Sequence, residues 1–188
     1  MGTARIEAFS DGVIAVIITI MVLELKVPPN ARWETLIAIM PGVLIYALSF
    51  VVVAVFWVNH HHLLHAAPHA GTELLWSNIV LLFCMSLVPF VTAYLAQEGG
   101  APPALVSYAL VLGATSAAFS WLIAAVARHH IDDPMRSAHF ARMRKKARWV
   151  ILLYALSVPS AFLSSYLSYA IFVLIPALYF LPDRKLIE

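Results

Sequence analysis

Long apolar runs, separated by short polar segments, make up most of the chain. A helix that spans a bilayer needs about 17–25 mainly apolar residues. Six runs fit or approach this length, at about residues 9–25, 36–58, 74–96, 105–127, 150–163 and 166–181. The last two are short and meet around Ser164 and Ser165, and Pro159 would break or kink one long helix through both. We therefore predict six transmembrane helices, with the last two in a tight hairpin.

The polar segments predict the connections between these helices. Residues 26–30 and 97–103 carry the proline or glycine residues typical of turns, and residues 60–72 are polar and rich in histidine. Residues 129–146 form the longest polar segment, in which Asp132-Asp133-Pro134 predicts the start of a short surface helix. No internal repeat is visible, so we expect one six-helix transmembrane domain over residues 1–188.

The composition supports a membrane protein. Hydrophobic residues make up 62% of the chain and charged residues 12%, with a mean hydropathy of +0.87, whereas ordinary soluble domains are about 45–50% apolar and about 25% charged. The net charge of +2 gives no reason to expect a nucleic-acid partner, and the lone Cys84 excludes an intramolecular disulfide. The charged start runs into a long apolar span without a small-residue cleavage site, so we expect it to be retained as a membrane helix.

Basic residues predict the orientation in the bilayer. Cytoplasmic loops carry an excess of Lys and Arg. With six spans, Lys26 and Arg32 fall on one side. The other side carries Arg5, Arg128, Arg136, Arg142, Arg144, Lys145, Lys146, Arg148, Arg184 and Lys185. Both termini are therefore predicted to be cytoplasmic.

The first helix carries charge where it should enter the membrane. Arg5, Glu7 and Asp11 precede the apolar residues 13–23, and an acidic side chain at the centre of a membrane helix costs about 2.5–3.5 kcal/mol. Asp11 is thus a candidate functional residue. On a helix, Ser10 and Asp11 point away from one stripe of apolar or weakly polar residues. That stripe consists of Gly12, Val16, Thr19, Ile20 and Leu23. Such a stripe fits helix packing, contact with lipid or the wall of a pore.

Polar residues at the ends of the next two helices are the candidate partners of Ser10 and Asp11. They are Trp57, Asn59 and His60 at the end of the second span and Asn78 near the start of the third. The up-and-down topology brings these ends to the same depth as the start of the first helix. Because an unsatisfied polar group in hydrocarbon costs several kcal/mol, we predict a hydrogen-bonded cluster there.

Three groups of residues resemble the signature of the lysosomal and prokaryotic potassium channel family (transmembrane protein 175 family). They are Arg5-x-x-x-Phe9-Ser10-Asp11 at the start of the first helix, Trp57-x-x-His60 at the end of the second, and Asn78 followed by Pro89 in the third. The six-helix layout covers the whole chain, and the motifs lie in residues 5–94.

The resemblance implies a homotetramer in a prokaryotic plasma membrane, with the first helix of each subunit lining a central pore. Potassium and other monovalent cations would pass down their gradient, with no cofactor, bound metal or catalytic residue. The implied pore-facing residues are Val16, Ile20 and Leu23, with Thr19 beside them. The implied structural network comprises Arg5, Phe9, Ser10, Asp11, Trp57, His60 and Asn78.

The implied constriction departs from the family at one position. Val16 is smaller than the Leu or Ile more usual there, and no segment resembles the T-V-G-Y-G carbonyl filter of ordinary potassium channels. Selectivity would then come from a hydrophobic constriction that penalises the dehydration of ions. Because sodium holds its water more tightly than potassium, we expect a preference for potassium rather than near-complete exclusion of sodium.

The histidines in residues 60–69 offer an alternative function, a membrane protein that binds a metal or haem. His61 and His65 stand four residues apart, a helical spacing that can hold a metal ion. No H-E-x-x-H motif, cysteine or carboxylate occurs within the cluster, and the nearest acid is Glu73. We favour a solvated helix end, with His60 in the network. No Ser/His/Asp arrangement, phosphate-binding glycine loop or carboxylate pair suggests an enzyme.

Overall fold

The computed structural model describes residues 2–180, and this part of the chain is all-α, as predicted. Its helices are α1 (Thr3–Leu23), α2 (Trp33–His65), α3 (Thr72–Ser86), α4 (Val88–Gln97), α5 (Pro102–Ala127), α6 (Pro134–Leu163) and α7 (Ser165–Phe180). Five candidate membrane spans follow from length and hydropathy: α1, α2, α3 with α4, α5 with the turn after it, and α6. The sixth apolar helix, α7, is shorter. The predicted end of the last span at residue 181, and the basic residues Arg184 and Lys185, lie outside the described residues.

The third span contains a break that the hydrophobic pattern does not show. A turn at Leu87 separates α3 from α4, and Pro89 lies in the first turn of α4. Proline has no backbone N–H, and its ring clashes with the carbonyl four residues earlier, so it cannot continue an undistorted helix. After α4, Gly99 and Gly100 adopt φ angles of 59° and 87°, which only glycine adopts readily.

The fifth span corrects the prediction of a separate surface helix. The segment that follows Asp132 does begin a helix, but this helix runs without interruption from Pro134 to Leu163. Asp133 caps it, because one carboxylate oxygen accepts hydrogen bonds from the backbone N–H groups of Met135 and Arg136 at 3.0 and 3.1 Å. A helix of 30 residues is about 45 Å long, more than the bilayer core of about 30 Å. Its basic first half therefore extends beyond the hydrocarbon.

Helices α6 and α7 form the predicted hairpin. Ser164 is extended, with φ −164° and ψ 127°, and reverses the chain between them. Behind this turn, the hydroxyl oxygens of Ser160 and Ser168 lie 2.9 Å apart in the interior. Pro159 lies inside α6, one turn before its end.

The bundle core is built around α5, which packs against α3, α4, α6 and α7. Its Tyr108 is fully buried, and the phenol oxygen lies 3.0 Å from the Ser49 hydroxyl of α2. Thr92 of α4 donates to the same Ser49 oxygen at 2.9 Å. In contrast, α1 lies at the edge of the bundle, where it packs against α2, α3 and α4.

Side-chain contacts define one end of the bundle. His130, just after α5, lies 2.7 Å from the Ala66 carbonyl just after α2, and Arg128 pairs with Glu73 at the start of α3. The start of α1 contacts the end of α2 at this same end, through Asp11 and Trp57. The basic first half of α6 begins here too, whereas Lys26 and Arg32 lie at the far end, between α1 and α2.

Candidate functional site: the first helix and its polar network

Helix α1 buries one face against the bundle. The buried residues are Ile6, Ser10, Ile14, Ile17 and Met21, and their spacing of three and four residues is that of one helix face. Ser10 is the single polar member of this face and is fully buried. A polar group in that position needs hydrogen-bond partners from the chain itself.

A chain of hydrogen bonds joins Ser10 to α2 and α3. The Ser10 hydroxyl donates to the Ile6 carbonyl at 2.8 Å, and the Asn78 amide nitrogen donates to the Ser10 oxygen at 2.9 Å. The Asn78 amide oxygen lies 2.7 Å from His60 Nε2. Since an amide oxygen can only accept, Nε2 carries the hydrogen, which assigns the tautomer of His60. The structure thus brings Ser10, His60 and Asn78 together in the interior.

Asp11 pairs separately, at the α1–α2 contact. The indole nitrogen of Trp57 donates to its carboxylate at 2.8 Å. Glu7 lies one turn earlier on α1, and its carboxylate oxygen lies 2.8 Å from Nδ1 of His61, one turn after Trp57. Two acidic residues one turn apart on α1 therefore meet two residues one turn apart on the antiparallel α2.

Three other residues from the sequence prediction lie outside this hydrogen-bonded set. Phe9 is 63% exposed, on a part of the α1 surface that faces away from the bundle core. Arg5 is exposed, and its guanidinium forms no hydrogen bond or ion pair among residues 2–180. Asn59 donates to the carbonyl of Val55 within its own helix at 2.7 Å. A role for Arg5 or Phe9 in the network stays a prediction.

A second face of α1 is apolar and is left largely exposed by residues 2–180. Val16, Ile20 and Leu23 are 54%, 42% and 80% exposed. Thr19 is exposed beside them, with its hydroxyl bonded to the Val16 carbonyl at 2.9 Å. Between this face and α4 runs an open groove of about 990 Å³, lined by Phe9, Gly12, Val16, Ile20, Phe90 and Tyr94 among others.

The histidine cluster does not form one site. His60 faces inward to Asn78, whereas the ring of His69 packs against that of His129. Only His61 and His65 share a partner, and that partner is Glu7. The expectation that Glu73 is the acid nearest to these histidines is wrong for the folded chain. Glu7 contacts His61 and His65, whereas Glu73 contacts Arg128 and Trp121.

Comparison with known proteins identifies the family. Residues 5–89 match the family described as endosomal/lysosomal potassium channel TMEM175. A potassium channel of Chryseobacterium sp. (strain P1-3) is 33% identical over 187 residues, which cover 99% of this chain and 96% of that relative. This chain belongs to the TMEM175 family. A second relative, a potassium channel of Streptomyces collinus (strain DSM 40733 / Tue 365), is 35% identical over 179 residues, which cover 89% of this chain and 86% of the relative.

A solved TMEM175 structure has the same fold. It is the crystal structure of a lysosomal potassium-selective channel TMEM175 homolog from Chamaesiphon minutus, which is 30% identical. The TM-score is 0.84, and the superposition covers 94% of this chain and 95% of the other. The family predicted from the motif residues is confirmed, and with it an integral membrane protein.

The sequence did not predict two features of this TMEM175-family chain, the contact of Glu7 with α2 and a buried cluster of hydroxyl groups. Glu7 is four residues from Asp11 and so shares its helix face, a signal that could have placed it against α2. The buried cluster of Ser49, Thr92 and Tyr108 had no such signal. Its members are single hydroxyl groups on three different helices, and only the packing brings them together.

Proposed function

We propose that the protein is a potassium-preferring cation channel. Copies of the chain would form a homotetramer around a central pore, with α1 of each subunit lining it. The observation that carries this proposal is the uncovered apolar face of α1. An apolar face that residues 2–180 leave exposed is suited to contact with lipid or with another copy, and the TMEM175 family and its named potassium channels favour the second.

The proposed constriction consists of Val16, Ile20 and Leu23, with Thr19 beside them. Apolar side chains offer an ion no replacement for its water, so they form an energetic barrier that depends on hydration. Potassium sheds water more easily than sodium and passes more readily. The small side chain of Val16 gives a wide first ring, which supports a preference rather than exclusion. Conduction by this route needs no cofactor and no catalytic group.

The buried and exposed faces of α1 would have separate tasks. On the buried face, Ser10 is tied to Asn78 and His60, and Asp11 is tied to Trp57. These bonds hold the start of α1 against α2 and α3, and so set the direction in which the exposed face points. The protein would sit in a prokaryotic plasma membrane with both termini cytoplasmic, because the basic residues of α6 and the start of α1 share one end of the bundle.

Flux into liposomes tests the channel and its constriction together. Purified protein would be reconstituted and potassium influx compared with sodium influx, with Ile20→Asn as the paired variant. Val22→Asn is the matched control, because Val22 is 45% exposed but lies off the stripe. We expect potassium-preferring flux that loses its preference in Ile20→Asn and keeps it in Val22→Asn. Equal flux of both ions in the unmodified protein would contradict the proposal.

Cross-linking tests the tetramer. In a Cys84→Ala background, Leu23→Cys would place one thiol per subunit near the central axis, and oxidation should join neighbouring copies. Val22→Cys, one residue along and pointing elsewhere, should give much less product. Equal cross-linking at both positions, or a monomer by native mass spectrometry in gentle detergent, would contradict the assembly.

A further inference from the structure

Three potential metal ligands from two helices meet beside the polar network. The Glu7 carboxylate oxygen of α1 lies 2.8 Å from His61 Nδ1 and 3.1 Å from His65 Nδ1 of α2. The ligand atoms of the three residues all lie within 4.8 Å of one another. The two histidines are one helical turn apart, and their ring centroids lie 4.4 Å apart with the ring planes tilted by 47°.

We propose that Glu7, His61 and His65 bind a divalent transition-metal ion of the Zn²⁺ class, which joins α1 to α2. Two imidazoles and a carboxylate form the donor set of many zinc sites, in which water takes the fourth position. Imidazole nitrogen favours Zn²⁺, Cu²⁺ and Ni²⁺, whereas Mg²⁺ and Ca²⁺ prefer sites made of oxygen alone.

The spacing of the three groups fits an ion. With bonds of about 2.1 Å in a tetrahedron, ligand atoms stand about 3.4 Å apart. The two contacts of Glu7 are shorter than this by about 0.6 and about 0.3 Å, and all three ligand atoms lie within 4.8 Å of one another, so an ion requires a modest rearrangement of the three side chains. The side chains of His61 and His65 are 40% and 60% exposed, which leaves room for that movement and for access of water to the fourth position.

The hydrogen bonding of the histidines also points to a ligand. His61 Nδ1 is shielded from solvent and makes no hydrogen bond of good geometry, although Glu7 lies close to it. His65 Nδ1 lies 3.2 Å from the His61 carbonyl, and it would exchange this contact for the ion. A buried nitrogen that faces a carboxylate without a hydrogen bond gains a partner when a cation lies between them.

The proposed metal site is separate from the proposed pore. It uses no residue of the exposed α1 stripe, and none of its ligands belongs to the chain of bonds through Ser10, Asn78 and His60. Binding of the ion therefore does not depend on conduction, and it can be measured on protein in detergent.

Metal binding to the full-length protein tests the site directly. The affinity tag would be cleaved off, residual metal removed with chelator, and Zn²⁺ binding measured by calorimetry and by elemental analysis. The variants are Glu7→Gln and His65→Ala, the second removing the more exposed of the two imidazoles. His62→Ala is the matched control, because His62 is exposed at the same helix end but is not one of the three ligands.

We expect about one Zn²⁺ per chain in the unmodified protein and in His62→Ala. In Glu7→Gln and His65→Ala the affinity should fall by more than about tenfold, since loss of even an outer partner of a zinc ligand costs that much. Zinc should also raise the melting temperature of the unmodified protein and of His62→Ala, but not that of Glu7→Gln or His65→Ala. No zinc binding at micromolar free ion, or equal binding in all variants, would overturn the proposal.

Discussion

The indole nitrogen of Trp57 donates a hydrogen bond of 2.8 Å to the carboxylate of Asp11. The acid that stands out in the sequence is therefore paired with a neutral donor from the neighbouring helix rather than with a basic residue. Together with the contact between Glu7 and His61 one turn away, this hydrogen bond fixes the register between the start of α1 and the end of α2. The register in turn determines which face of α1 lies inside the bundle.

Removal of the indole donor should weaken the fold more than it changes selectivity. Trp57→Phe keeps an aromatic ring but leaves Asp11 without its donor, and a hydrogen bond to a charged group is worth about 1.5–3 kcal/mol. We expect a lower melting temperature in detergent and a smaller fraction of the proposed tetramer, with an unchanged ratio of potassium to sodium permeability. Asp11→Ala should act in the same direction. A stable tetramer of either variant with altered selectivity would contradict this role.

Loss of Asn78 should be more damaging than loss of a comparable amide on α2. Asn78→Ala leaves both the Ser10 oxygen and the His60 N–H without their partner in the interior, and each unsatisfied buried group costs about 1–3 kcal/mol. Asn59→Ala is the control, since the Asn59 amide bonds only within its own helix. Thermal unfolding in detergent should show a clear loss of stability for Asn78→Ala and little change for Asn59→Ala. Equal effects would mean that the chain of bonds through Asn78 adds no stability.

The sequence was informative where one physical constraint acted alone. Hydrocarbon requires long apolar helices, so the runs predicted the spans, and it requires paired polar groups, so Ser10 and Asn78 could be expected to meet. The bounds of α6 depend on two constraints, the hydropathy of its second half and the helix propensity of its first half. Its first half is rich in Arg, Lys, Met and Ala, which are good helix formers, so the helix starts well before the apolar run. Hydropathy reports where the bilayer begins, not where a helix does.

The position of Glu7 shows a second limit of sequence reasoning. Distance along the chain made Glu73 the nearest acid to the histidines, but α1 and α2 run antiparallel and bring Glu7 to His61. Helix periodicity assigns Glu7 to the same face as Asp11. Only the contact between Asp11 and Trp57 shows which helix that face meets.

Smaller side chains on the exposed stripe of α1 should raise sodium permeation. Ile20→Ala and Leu23→Ala would each widen the proposed constriction, so that both ions keep more of their water and the difference between them shrinks. With potassium on one side of the membrane and sodium on the other, the reversal potential should move toward zero in both variants. Val22→Ala removes a similar apolar side chain off the stripe and should leave the reversal potential unchanged. If both stripe variants behave like Val22→Ala, the pore is lined by other residues.

The charge distribution predicts which end of the bundle faces the cytoplasm. Ser137 is exposed near the start of α6, at the basic end, and Val27 is 89% exposed at the far end, after α1. With the lone Cys84 replaced by Ala, a cysteine at either position becomes the single target of a membrane-impermeant maleimide. Because Lys and Arg accumulate on the cytoplasmic side, Val27→Cys should react in intact cells and Ser137→Cys only after lysis. The reverse pattern would place both the polar network and the proposed metal site on the outer side of the membrane.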